Sequence, residues 1–508
     1  MKKYSRAINT LKGSIMGMVL LCINTIGGFA SRTLLIYVLG VEYAGLNGLF
    51  TSILTVLNMA EMGFGSAIVY KLYKPIAEGD TLRVCALMNY YKKVYRYIGI
   101  GVFCVGILII PFLKVFIHSD VPKELNIYIL YLIYLGNCCL TYWLFAYKTA
   151  IISAHQRTDL SNGVNAIVFT IKYIIQIICL LFFKNYYVYI IVIPITTLMT
   201  NIGNAIIANK KFPQYQCDGN ISREERGEIK EKILALMFNK FGVAIINGSD
   251  NVVISSFLGL AILGIYDSYY YVFSTVHSMF SVFHNAITAG IGNSIITETK
   301  EHNIKLFYRL TFINMWAVGW SAICMFCIFE PFMQLWIKEG LGICFALIMS
   351  LYFYFWMIRF IVLVFKNAMG LWKEDRFRAA IEGIFNLILN LIMVQIWGIY
   401  GVMISTIVAM LFISVPWETK VLFKKYFGIS MFSYFCKMAM YFLITLIIGT
   451  ITFATCNLMN QPGVHTIIYR LCVCIIIPNL LYWIIFRKKE ECVESCKYIK
   501  YIFGKLKK

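Results

Sequence analysis

Long apolar runs alternate with short polar or basic connections from one end of the chain to the other. Runs of spanning length fall at 15–38, 46–70, 95–117, 125–147, 161–183, 187–208 and 234–258. They continue at 262–290, 310–337, 343–365, 379–399, 400–417, 435–456 and 467–486. A bilayer core needs about 20 apolar residues per helix, and a chain inside it must close its backbone hydrogen bonds within each segment. The pattern therefore predicts an all-α polytopic membrane protein with about 14 transmembrane helices. The narrowest division is Trp397-Gly398-Ile399-Tyr400-Gly401, between the eleventh and twelfth runs.

One short turn, Leu39-Gly40-Val41-Glu42-Tyr43-Ala44-Gly45-Leu46, joins the first two runs, and it recurs as Leu258-Gly259-Leu260-Ala261-Ile262-Leu263-Gly264-Ile265. At the same offset of 219 residues, Phe64, Ala67 and Ile68 match Phe283, Ala286 and Ile287. The offset carries run one onto run seven and run two onto run eight. This predicts two parallel six-helix lobes related by an axis along the membrane normal, plus two C-terminal helices. The domains are then an N-lobe at 1–208, a linker at 209–233, a C-lobe at 234–420, and helices 13–14 with a basic tail at 421–508.

Composition supports the membrane reading. Of 508 residues, 60% are hydrophobic and only 14% charged, well below a soluble chain. A net charge of +21 would suggest nucleic acid in a soluble protein. Here alternate connections divide it: one side holds 37 Lys and Arg, the other only Lys123, Lys184 and Lys338. By the positive-inside rule the basic side is cytoplasmic, both termini included, and nucleic acid is not a partner. The first run is too long for a cleavable leader and reads as a signal anchor. The 16 cysteines lie mostly in apolar runs and read as packing. No nucleophile–base or metal constellation appears, so neither an enzyme nor a cofactor is expected.

Several stretches resemble the bacterial polysaccharide transporter (oligosaccharide flippase) family of the multidrug/oligosaccharidyl-lipid/polysaccharide exporter superfamily. They are Ser31-Arg32-Thr33, Leu39-Gly40 through Gly45-Leu46-Asn47-Gly48-Leu49-Phe50, and Ala60-Glu61-Met62-Gly63-Phe64-Gly65-Ser66-Ala67-Ile68. Leu72-Tyr73-Lys74-Pro75, Asp250 through Gly259, Gly264-Ile265-Tyr266 and Ala289 through Ile295 extend the likeness over about 10–420. Asp267-Ser268-Tyr269 departs from it, standing where an Asn-Tyr pair is expected. The resemblance implies a MATE-like fold and alternating access. It also implies flipping of undecaprenyl-pyrophosphate-linked oligosaccharide repeat units across the cytoplasmic membrane, for capsule, O-antigen or exopolysaccharide assembly. Implied partners are the lipid-linked oligosaccharide, membrane lipids, a polysaccharide polymerase with its chain-length machinery, and a coupling proton or sodium ion.

Such a substrate gives the embedded charges a role. Pyrophosphate calls for cations shielded from lipid, and Lys240, Arg359, Lys172 and Arg32 form a rough ladder from the inner to the outer side. These four are the expected substrate-binding residues. Arg32 also pairs across the repeat with Asp250 in an expected outer gate, and Glu61 is either a structural partner of Lys240 or Arg359 or the coupling-ion site. Asp267 and Glu382 read as interfacial acids near helix starts. Tyr266, Tyr269, Tyr270, Tyr271 and Phe273 read as an interfacial belt, and His277 and His284 as packing residues. The basic segment 71–96 and the tail from Arg487 read as amphipathic elements lying on anionic headgroups. Two alternatives stay open: a multidrug cation antiporter of the same superfamily, and a membrane polysaccharide polymerase. The antiporter needs acids in its cavity, and the polymerase needs an external catalytic segment that these short connections lack.

Overall fold

The computed structural model describes residues 3–117, 121–371, 374–459 and 463–495; the side chains of 3–8, 10, 11, 59–63, 66, 232–241, 247, 286 and 289 lie outside that description. The described residues form eighteen α-helices joined by short connections. The chain packs as two units, Met1–Gly264 and Ile265–Lys508. The first contains α1 (Lys3–Val38), α2 (Val41–Leu57), α3 (Met59–Glu78), α4 (Thr81–Ile109), α5 (Ile127–Trp143), α6 (Thr149–Ala154), α7 (Thr158–Phe182), α8 (Tyr186–Lys211) and α9 (Arg223–Leu258). Helix α10 (Leu260–Thr297) begins in it. The second contains α11 (Lys300–Trp336), α12 (Ile343–Ile358), α13 (Phe360–Ala368), α14 (Arg378–Trp397), α15 (Ile399–Ala409), α16 (Val415–Leu422), α17 (Phe432–Cys456) and α18 (Val464–Phe486).

Polar side chains set where these helices start and stop. Asn126, Asn185, Ser222 and Thr299 cap α5, α8, α9 and α11 by accepting from backbone N–H groups of the first turn. Gly79, in the left-handed region at φ 74°, ends α3, and Asp80 caps α4 through the Arg83 N–H. Between α2 and α3 the break falls at Asn58, whose Oδ1 accepts from the Tyr142 hydroxyl at 2.7 Å and the Cys138 thiol at 2.8 Å. One-turn π-helices at Met410–Ser414 and Phe423–Phe427 flank α16.

The protein is a multi-pass membrane protein. Among the described residues ten helical stretches are long and apolar enough to cross a bilayer, and the pair Ile127–Trp143 and Ala146–Ala154, bent by 47°, makes an eleventh. The other three apolar runs are helical too. Asn58 divides the second run between α2 and α3, the seventh lies in α9 and the eighth in α10. The unit boundary at Gly264 differs from the linker at 209–233, because α9 packs on α2 and α3.

The segment 71–96 does not lie flat as a single amphipathic element. It forms the α3–α4 hairpin, clasped by 214–228: Asn89 donates to the Gly219 carbonyl at 2.7 Å, Arg83 pairs with Glu225 at 3.1 Å, and Lys71 pairs with Glu228. The start of the tail is likewise bound to helices, through Arg309–Glu494 at 2.8 Å and Lys437–Glu491. Residues 496–508, Cys496 included, lie outside the described residues.

Candidate functional site

The two Gly-containing turns meet each other within the first unit. A Cβ on Gly45 would collide with the Leu260 carbonyl, and a Cβ on Gly264 with the Val41 carbonyl. Val41 and Gly45 stand to Leu260 and Gly264 at the repeat offset of 219, so the contact is reciprocal. Only glycine lets two helix starts approach until backbone touches backbone. Two side chains cross the same seam. Arg32 of α1 donates from Nη2 to the Gly264 carbonyl at 3.2 Å, and its repeat counterpart Asn251 of α9 donates to the Gly48 carbonyl at 3.4 Å. Asp250 is buried beside Asn251, with the Ser249 hydroxyl donating to it at 3.4 Å. The side chains of Glu61 and Lys240 lie outside the description.

Below the turns, α1 packs along α7. Gly27 leaves room for the ring of Tyr173, whose hydroxyl donates to Asn24 at 3.0 Å. Lys172 lies over that ring, with Nζ 5.0 Å from its centroid and 5.6 Å from that of Phe169. Among the described residues no carboxylate stands within ion-pair distance of Lys172. A cation with aromatic faces and no described acid beside it can donate to a phosphate oxygen. Nearby, Ser31 is within hydrogen-bond distance of Gln176 and Tyr189, and Tyr186 donates to the Tyr43 carbonyl at 3.0 Å.

Arg359 belongs to a buried charge network of the second unit. It occupies the break between α12 and α13, stacked over Trp356 at 4.8 Å. Glu418 lies 3.8 Å away and Glu382 4.0 Å. Arg378 bonds Asp375 at 3.0 Å, Glu382 at 2.7 Å and Glu418 at 3.1 Å; Lys366 pairs with Asp375, and Ser414 with Glu382. Three cations thus face three carboxylates, every one of the six buried. In so dry a site each charge depends on its partners, since an isolated ion would carry a desolvation cost of several kcal/mol (about). An aromatic core, Phe307 with Phe365, Phe423, Phe427 and Tyr434, packs in the same unit.

Several sequence expectations are corrected in this unit. Glu382 and Asp267 are buried, 3% and 9% exposed, and are not interfacial acids. The α10 aromatics form interior packing in place of a surface belt: Tyr269 donates to Glu330 at 2.9 Å and contacts Phe329 and Phe345, while Phe273 stacks on Tyr352 at 4.9 Å. His284 is buried and 3.0 Å from Asn314. Lys366, Asp375, Arg378 and Glu418 escaped sequence reasoning because they sit at run ends, where the hydropathy pattern marks them as loop charges. Buried polar residues at i, i+4 within the eleventh run, Asn386 and Asn390, were a legible signal; they bond Thr406 and Ser405 of α15. The thiols of Cys327, Cys456 and Cys474 also meet, their sulfurs within 4.8 Å of one another.

Two comparisons are silent: no protein-family model and no curated sequence matches the chain. Solved structures are similar to it. One is lipid II flippase MurJ in an inward closed conformation, with a TM-score of 0.63 and 15% identity over 94% of this chain and 98% of that one. The chain shares a MurJ- and MATE-like fold. An inward-facing multidrug resistance MATE family transporter of the MOP superfamily has a TM-score of 0.60 at 12% identity, over 79% of this chain and 97% of its own. A Vibrio cholerae MATE transporter has 0.51 at 15% identity, over 82% and 96%.

Proposed function

We propose that this transporter flips undecaprenyl-pyrophosphate-linked oligosaccharide repeat units from the inner to the outer leaflet of a bacterial cytoplasmic membrane, for capsule, O-antigen or exopolysaccharide assembly. The observation that carries the reading is the match to a lipid flippase over 94% of the chain, against 79% and 82% for the two multidrug transporters. The extra coverage is what a chain with two helices beyond a MATE-like core would give. The sequence resemblance to oligosaccharide flippases and the basic, cytoplasmic side of the helix ends support the same conclusion.

In this reading Arg32 and Lys172 contact the pyrophosphate, with Lys240 on the inner side, and Arg359 is anchored by its acids. The seam of Arg32, Asp250 and the paired glycine turns closes the outer end. Glu61 remains the proposed entry point for a coupling proton or sodium ion. Lys172→Met is expected to lower transport about tenfold, whereas Lys172→Arg retains most of it, because a guanidinium still offers phosphate a charged donor. The main test is a deletion strain. It should accumulate lipid-linked repeat units on the cytoplasmic face and export no polymer; unchanged export would overturn the proposal. Efflux of cationic dyes by the wild type, with glycan export intact in the deletion strain, would favour the antiporter instead.

A further inference from the structure

A cavity of about 820 Å³ opens at the basic end of the first unit. Its walls come from the end of α3, the start of α4, the turn between α6 and α7, and the first turns of α9. Among the described residues, none of the embedded charges discussed above lines it.

The chemistry of the walls is mixed in a particular way. Tyr70 and Tyr73, 65% and 43% exposed, present flat faces. The cations are Lys71, Lys74 and Arg83, and each has an acid: Glu228, Glu78 at 3.8 Å, and Glu225 at 3.1 Å. A site built for a bare phosphate keeps cations uncompensated. Here charge is matched locally, leaving carboxylate, ammonium and guanidinium groups held as polar hydrogen-bonding partners.

His155 adds an acceptor. Its ring lies against Phe212 at 4.2 Å and Tyr215 at 5.5 Å, and its Nδ1 is 3.0 Å from the Ile151 carbonyl. Burial holds its pKa below the usual imidazole range, so the ring is neutral at pH 7, with the proton on Nδ1 and Nε2 left to accept. Next to it Gln156 sits at φ 57°, a left-handed conformation that a residue with a side chain adopts at a cost. That conformation is held by hydrogen bonds from the Gln156 N–H to Ser153 and the Arg157 N–H to Ile152, and it sets the amide at the cavity wall.

Aromatic faces, a neutral acceptor, an amide and charge-neutralised donors, in a cavity of ligand size, match a polyhydroxylated, uncharged group. We propose that this cavity is a docking site for the saccharide headgroup of the carried lipid, engaged on the basic side before transport. The inference rests on the flippase reading and deepens it. It assigns glycan selection to this cavity, apart from the charges proposed for pyrophosphate.

The test uses the full chain in nanodiscs without lipid-linked substrate, probed by saturation-transfer NMR. The probes are methyl glycosides of neutral hexoses, deoxyhexoses and N-acetylhexosamines, and inorganic pyrophosphate. At least one glycoside is expected to receive saturation from the wild type. Tyr73→Phe should keep that signal and Tyr73→Ala reduce affinity about tenfold, with pyrophosphate failing to displace the sugar. Tyr73 is half-exposed, and a monodisperse elution profile checks that the variant is folded. No glycoside signal, displacement by pyrophosphate, or an unaffected Tyr73→Ala variant would each overturn the assignment. Glycan export that depends on the chain, with no glycoside bound, would sink this inference alone. Glycoside binding with export independent of the chain would leave the cavity a saccharide site and sink the flippase reading.

Discussion

Glu418 is fully buried and sits within 3.1 Å of Arg378 and 3.8 Å of Arg359. Glu418→Gln leaves three buried cations facing two acids. Stability should fall by about 3–5 kcal/mol, the usual cost of orphaning a buried charge, read as the thermal midpoint in detergent. The double variant Arg359→Met/Glu418→Leu should recover part of that loss, since a balanced network is restored. His155 yields a pH prediction. Its folded pKa is depressed by burial, so the neutral form prevails above its unfolded value of about 6.5 and is lost as pH falls through the folded one. The other titratable groups lining the same cavity are Lys71, Lys74, Arg83, Glu225, Glu228, Tyr70 and Tyr73. Glycoside binding should therefore be level from about pH 8 down to the ordinary imidazole value of about 6.5, and weaken only as pH falls further, through the depressed folded pKa. Single residues were the least legible scale. Arg32 and Lys172 stood out because charges inside apolar runs are costly. Arg378 and Glu418 looked like ordinary loop charges, since hydropathy records a residue's neighbours in sequence and not those brought by folding.

Helix ends were easier to read than helix partners. The apolar runs and the Asn, Ser and Thr caps mark where elements begin, and the repeated Leu-Gly…Gly turn marks the duplication. That the two turns touch was not legible, because a glycine allows close approach without naming the approaching surface. Gly264→Ala should force the starts of α2 and α10 apart, as the new Cβ meets the Val41 carbonyl. Hydrogen exchange over 38–48 and 256–268 should accelerate in the variant, by about tenfold or more if opening costs 1.4 kcal/mol less. Unchanged protection would mean that the turns give way without separating.

At the level of the molecule, the all-α membrane fold was plain from hydropathy, while the packing boundary at Gly264 was not. Tertiary contact joins α9 to α2 and α3, and no local pattern announces it. The C-terminal helices are integral to the second unit. Arg470 donates to the Cys327 carbonyl at 2.7 Å, Trp320 to the Cys474 carbonyl at 2.8 Å and Trp316 to Asn479 at 2.9 Å. Truncation after Gly428 should strip these partners from α11, leaving indole donors facing lipid. The expected result is aggregation on size-exclusion chromatography, where an independent appendage would leave a monodisperse core.

The reciprocal seam between the glycine turns has the form of an isologous interface: the same patch meets itself across a two-fold relation. In a homodimer any substitution in such a patch would strike twice. Within one chain each copy of the turn can differ alone, and here Arg32 faces one carbonyl while its counterpart, Asn251, faces the other.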